Sequence, residues 1–137
     1  MTRIILAGFI ASIVWFAAAT ILYMNPYSKK IADTLKNHPG VKKWANQKEM
    51  LLPMYLWGVL VPSIIFAVIF WWLNPVFPSS ILAKTILFGL ILVGIKIYPR
   101  LTDTALMTSY PKQLLIMDFI NGTISSFVIA AAFAFLI

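Results

Sequence analysis

Long apolar runs alternate with short polar segments along the chain. Four runs, over residues 4–24, 51–73, 81–98 and 114–137, carry few charges. A helix needs about 20 residues to cross roughly 30 Å of hydrocarbon, and each run approaches or exceeds that length. The pattern predicts an all-α membrane protein with four transmembrane helices, forming a single integral membrane domain over residues 1–137.

Prolines indicate where these helices should bend or end. Pro62 lies inside the second run, where it should kink the helix and free the carbonyl near Gly58. Tyr98 and Pro99 stand at the end of the third run. Because proline disfavours helix in the residue before it, we expect the third transmembrane helix to end at Tyr98, with a separate helical turn through Met107.

The connection between the first two runs predicts a short amphipathic helix at the membrane interface. Asn25 before Pro26 fits an N-cap followed by proline at the first helical position. Tyr27, Ile31 and Leu35 then recur every four residues and would share one apolar face. The residues expected to contact anionic lipid headgroups are Lys29, Lys30, Lys36, Lys42, Lys43 and Trp44.

The charges of the connections predict the orientation. Six of the eleven basic residues lie in the first connection, whereas the turn over residues 74–80 is uncharged. Basic loops are retained in the cytoplasm. We therefore expect the first connection and the turn over residues 99–112 to be cytoplasmic, and both termini to lie outside the cytoplasm.

Composition narrows the possible chemistry. The chain is 61% apolar with a mean hydropathy of +0.91, well above a soluble domain. It has no cysteine, which excludes disulfides and thiolate chemistry. One histidine and four dispersed carboxylates do not assemble a metal cage, so we predict neither a metal nor a cofactor. The net charge of +7 suits anionic lipid headgroups better than nucleic acid.

A candidate polar site lies where the third run ends and the fourth begins. Its residues are Asp118, Asn121 and Ser125, which fall on one face of the last helix, and Arg100 and Asp103 from the preceding turn. Ionisable residues within a span indicate function by default. The alternative is structural, because Asp118 could pair with Arg100 or Lys96, or accept hydrogen bonds from Asn121 and a tyrosine. Both interpretations stay open.

Several motifs follow one another in the carboxy-terminal half. They are Tyr98-Pro99-Arg100, then Tyr110-Pro111-Lys112-Gln113-Leu114-Leu115, then Asp118 and Asn121-Gly122. In these motifs the chain resembles a loose group of small, uncharacterised bacterial four-helix integral membrane proteins. The resemblance implies a bacterial inner membrane and no established activity.

Three functions are compatible with these patterns. The first is a non-catalytic accessory or scaffold subunit that associates with itself or with a larger complex through small-residue helix faces. The second is a small oligomeric transporter or channel, with Asp118, Asn121 and Arg100 along a pathway open to the cytoplasm. The third, a lipid-handling enzyme with Asp103 or Asp118 as base, is disfavoured because no catalytic motif accompanies either residue.

Overall fold

The computed structural model describes residues 1–35, 37–41 and 47–137, and its described part is helical without strands. Within these residues, two of the helices contain a wider π-helical segment, and one 3-10 turn, Asn74–Val76, follows the second of the four long helices. The elements are α1 (Thr2–Met24), α2 (Pro26–Leu35), α3 (Gln47–Tyr55), a π segment (Leu56–Leu60), α4 (Val61–Leu73), α5 (Ile81–Leu92), a π segment (Val93–Ile97), α6 (Tyr98–Met107) and α7 (Lys112–Leu136).

Four continuous helices are long and apolar enough to cross a membrane. They are the first span, Thr2–Met24, the second span, Glu49–Val76, the third span, Ile81–Met107, and the fourth span, Lys112–Leu136. The predicted all-α architecture with four long apolar helices is confirmed. Large apolar side chains cover the outside of each span, as expected of a surface that meets lipid.

The predicted end of the third helix at Tyr98 is wrong. The helix continues through Pro99 to Met107, and the π segment Val93–Ile97 ends two residues before this proline. A proline ring clashes with the carbonyl four residues earlier in a regular α-helix, and the wider π turn relieves that clash. Pro62 follows the π segment Leu56–Leu60 in the same way. Both prolines are therefore accommodated within continuous spans.

Neighbouring spans run antiparallel, and α1 and α7 lie at the centre of the bundle. The α1 helix packs between α4 and α7, while α5 packs on the other side of α7. Small residues allow the closest approaches. Gly8 faces the Ile64 backbone, where an added Cβ would lie 2.9 Å from Ile64 Cα, and Gly122 faces the Ile97 side chain.

One end of the bundle, here called the terminal end, is closed by aromatic packing. Phe70 is fully buried there, and its ring centroid lies 5.0 Å from that of Phe88 and 5.9 Å from that of Phe133. These rings join the second, third and fourth spans. Arg3 also donates a hydrogen bond to the Leu136 carbonyl, 3.4 Å away, so both chain termini lie at this end.

The opposite end, here called the loop end, holds α2 and both basic connections. The backbone N–H of Ser28 donates to Asn25 Oδ1 over 2.9 Å, which confirms the predicted N-cap of α2. Gly40 lies directly against the backbone of Ser109 and Tyr110, in the turn that precedes the fourth span. The two basic connections therefore meet at the same end of the bundle.

Candidate functional site

Asp118 accepts hydrogen bonds from two tyrosines on different parts of the chain. The Tyr23 hydroxyl, at the end of α1, donates to Asp118 Oδ1 over 2.7 Å. The Tyr110 hydroxyl, in the turn before α7, donates to Asp118 Oδ2 over 3.3 Å. Asp118 is half-buried. The carboxylate therefore joins the first span, the fourth span and the turn between the third and fourth spans.

The chemistry of Tyr110 follows from this position. Burial is the main cause that raises the pKa of Tyr110, to about 12, and the adjacent Asp118 carboxylate adds to it. An ionised phenol there would lie beside another negative charge. At neutral pH the Tyr110 hydroxyl thus keeps its proton and can donate it in the hydrogen bond to Asp118.

Asn121 bonds to α2 and not to Asp118. Its Nδ2 lies 3.5 Å from Ser28 Oγ, and both residues are buried. Asn25 Nδ2 also lies 3.1 Å from the same Ser28 hydroxyl. One buried hydroxyl on α2 thereby connects the junction of α1 and α2 with the middle of α7.

The other predicted site residues form no hydrogen bond with Asp118 or Asn121 among the described residues, although the nearby Arg100 charge counters part of the rise in the pKa of Tyr110. Ser125 is buried and donates to the Gly122 carbonyl of its own helix over 3.0 Å. Arg100 and Asp103 are both exposed on α6. The structure thus brings Asp118 and Asn121 into one polar layer at the loop end and leaves Arg100 and Asp103 on its outer surface.

Lys96 occupies a second polar layer, which the sequence interpretation treated only as a possible partner of Asp118. Its Nζ donates to Ser126 Oγ over 3.3 Å and lies 4.0 Å from the centroid of the Trp15 ring. Trp15 and Ser126 are both buried. A lysine ammonium thus lies inside the bundle, between the first, third and fourth spans.

Serine hydroxyls connect the first and second spans. Ser12 and Tyr55 hydroxyls lie 2.9 Å apart, and Ser63 donates to the Gly8 carbonyl over 2.8 Å. Ser12 and Ser63 are fully buried. Each of these contacts joins two helices, so polar groups occur at every main interface of α1.

The residues proposed to contact lipid headgroups are only partly described. Lys29 and Lys30 are exposed on α2. Lys36, Lys42, Lys43 and Trp44 lie outside the described residues. The placement of these side chains relative to a membrane therefore stays a prediction.

A search for metal-ligand groups among the described residues and comparisons with known proteins both give a negative result. Within residues 1–35, 37–41 and 47–137, no group of three or more histidine, aspartate or glutamate side chains is placed to hold a metal ion. Comparison of the chain with protein-family models, with curated proteins and with solved structures finds no match.

Proposed function

We propose that this chain is a non-catalytic integral membrane protein, an accessory or assembly subunit, in which interior polar contacts hold the helices in one arrangement. The observation that supports this proposal is that the polar side chains of the interior form hydrogen bonds between different helices. Asp118 bonds to Tyr23 and Tyr110, Asn121 bonds to Ser28, and two serines bond across the interface of the first and second spans, Ser12 to Tyr55 and Ser63 to Gly8.

The membrane makes such contacts effective as helix connections. Lipid tails are as apolar as the spans, so the hydrophobic effect does not drive one span against another. Hydrogen bonds and close packing then decide which faces meet, although each such bond is worth only about 1 kcal/mol. The polar contacts that join α1 to α3, α4 and α7 favour a single arrangement of the spans.

The surface available to a partner differs from the one expected from the sequence. Small-residue faces were expected to mediate association, but Gly8 packs against Ile64 and Gly122 against Ile97 within the same chain. The outer faces carry large apolar side chains instead, including Ile13, Trp57, Leu90 and Ile124. We propose that assembly uses these faces.

Photo-crosslinking in native membranes tests assembly. A photoreactive amino acid is placed in turn at the exposed positions Ile13, Trp57, Leu90 and Ile124, one on each span. The buried position Ala67 is the matched control and should crosslink only within the chain. We expect a protein adduct of defined mass from at least one outer face. Lipid adducts alone at all four positions would contradict an assembly role.

A small transporter or channel is the second candidate, and one observation favours it. Asp118 is an ionisable residue near the loop end of the fourth span, and it is half-buried rather than buried. Flux measurements in proteoliposomes distinguish the two functions, with Asp118→Asn as the test variant and Asp103→Asn, on the exposed face of α6, as control. The accessory function predicts that ion or solute flux does not exceed the flux measured with empty vesicles. Flux that Asp118→Asn abolishes and Asp103→Asn preserves would establish transport.

We further propose that the loop end faces the cytoplasm and that α2 lies in the interface as an amphipathic helix. Exposed Lys29 and Lys30 on α2 support contact with anionic headgroups, because each basic residue near such a surface adds about 1 kcal/mol. A reporter fused after Ile137 should then lie outside the cytoplasm. A reporter found in the cytoplasm would show that the orientation is the opposite one and that these lysines face the other leaflet.

A further inference from the structure

We propose that the bundle interior contains a binding site for a small monovalent anion at Lys96. The inference goes beyond the accessory function and is independent of it. It rests on where the ammonium group lies, on what surrounds it, and on a buried hydroxyl nearby that has no hydrogen-bond partner.

The Lys96 side chain extends into the bundle and not toward the nearer end of its helix. Ile97, the next residue, packs against Gly122 of α7, whereas Lys96 Nζ reaches Ser126, one helical turn farther from the loop end. At 1.5 Å per residue, Ser126 lies about 21 Å along α7 from Lys112 and about 15 Å from Leu136. The ammonium is therefore deep inside the spans, although lysines near a membrane surface usually extend outward.

The groups in contact with the ammonium are neutral. Ser126 donates its own proton to the Gly122 carbonyl over 2.6 Å, so its oxygen is free to accept from Lys96. The Trp15 ring lies 4.0 Å from Nζ and favours a cation through its π-electrons. An ammonium has three N–H donors, and these two contacts, neither of them with a carboxylate, leave donors of Lys96 without a partner among the described residues.

The chain's own carboxylates are placed elsewhere. Asp118 accepts from Tyr23 and Tyr110 at the loop end. The other three acidic residues, Asp33, Glu49 and Asp103, are exposed. An isolated ammonium inside a span is costly, so it either loses its proton or is stabilised by a charge of opposite sign. A bound anion would supply the missing charge.

One further feature fits a small anion. Thr123 Oγ1 is buried without a hydrogen-bond partner, and Thr123 lies one turn from Ser126 on α7, so a hydroxyl with a proton to donate lies near this polar layer. Lipid phosphates lie at the membrane surfaces, about 15 Å or more away along the helix, so the ligand is a free inorganic anion such as a halide.

Thermal unfolding of the full chain in phosphatidylcholine nanodiscs tests the site. Bromide replaces gluconate at constant ionic strength, so only an anion small enough to enter should stabilise the fold. At bromide tenfold above its dissociation constant we expect the Tm to rise by about 5 °C. Lys96→Met should abolish the rise, and Lys84→Met, near the terminal end of the same span, should retain it.

A second measurement decides the matter if Lys96→Met does not fold. Bromide bound at Nζ would lie beside Trp15, so the wild-type protein should show a saturable component of tryptophan quenching that Trp15→Phe lacks. The proposal is overturned if bromide leaves the wild-type Tm unchanged, if Lys96→Met responds like the wild type, or if quenching rises linearly and equally in both proteins.

Discussion

Replacing Phe70 with alanine is expected to cause the largest loss of stability of any single truncation in the aromatic cluster at the terminal end. Phe70 has no exposed surface, and its ring contacts Phe77, Phe88 and Phe133, with centroids 5.0–5.9 Å away. The variant leaves a cavity lined by the side chains of three different elements. These elements cannot all move inward to fill it. We expect a loss of about 3 kcal/mol, the lower end for a buried phenylalanine, because lipid offers apolar contacts to the unfolded chain.

Phe135→Ala is the matched control for Phe70→Ala. Phe135 lies on the same end of the fourth span, but 75% of its surface is exposed. Its removal leaves no cavity, so we expect a change within about 0.5 kcal/mol. Both variants can be unfolded with a denaturing detergent in mixed micelles. Equal losses would show that the ring cluster does not join the spans.

Replacing Asp118 with leucine is expected to loosen the loop end. Leucine has the same number and branching of side-chain heavy atoms as aspartate but accepts no hydrogen bond, so the Tyr23 and Tyr110 hydroxyls lose their acceptor. A lost bond to a charged group costs about 1.5–3 kcal/mol when buried, and we expect about 1–2 kcal/mol because Tyr23 is partly exposed. Unfolding in mixed micelles measures the change.

Asp118→Asn is the informative companion of Asp118→Leu. Asparagine keeps one carbonyl oxygen as acceptor and removes the charge, so about half of the loss should return. If the two variants were equally unstable, the charge of Asp118, and not its hydrogen bonds to the tyrosines, would account for the effect.

The run lengths along the sequence predicted the four long helices, because length and apolarity are local properties of the chain. The end of the third helix was predicted wrongly for a local reason as well. Pro99 carries the usual helix-ending signal, but the π segment Val93–Ile97 before it removes the steric conflict. The sequence around a proline does not indicate whether the helix ends before it or continues through it by way of a π segment.

The hydrogen-bond partners of Asp118 and Lys96 inside the bundle could be identified only from the tertiary structure. Tyrosines near helix ends are typical interface anchors, so Tyr23 gave no sign of its bond to Asp118. With the third span ending at Tyr98, Lys96 lay near the expected membrane surface, and the interior partner suggested for it was Asp118. The extended helix and the contact with Ser126 place it deep in the bundle. A lysine within an apolar run was the signal available.

We propose that polar contacts between helices fix the arrangement of the spans, and a double-mutant cycle between Tyr23 and Asp118 tests this most directly. The free energy of unfolding is measured in mixed micelles for the wild type, Tyr23→Phe, Asp118→Leu and the double variant. A contact that joins α1 to α7 over 2.7 Å predicts a coupling energy of about 1 kcal/mol. Additive effects, with a coupling below about 0.3 kcal/mol, would contradict it.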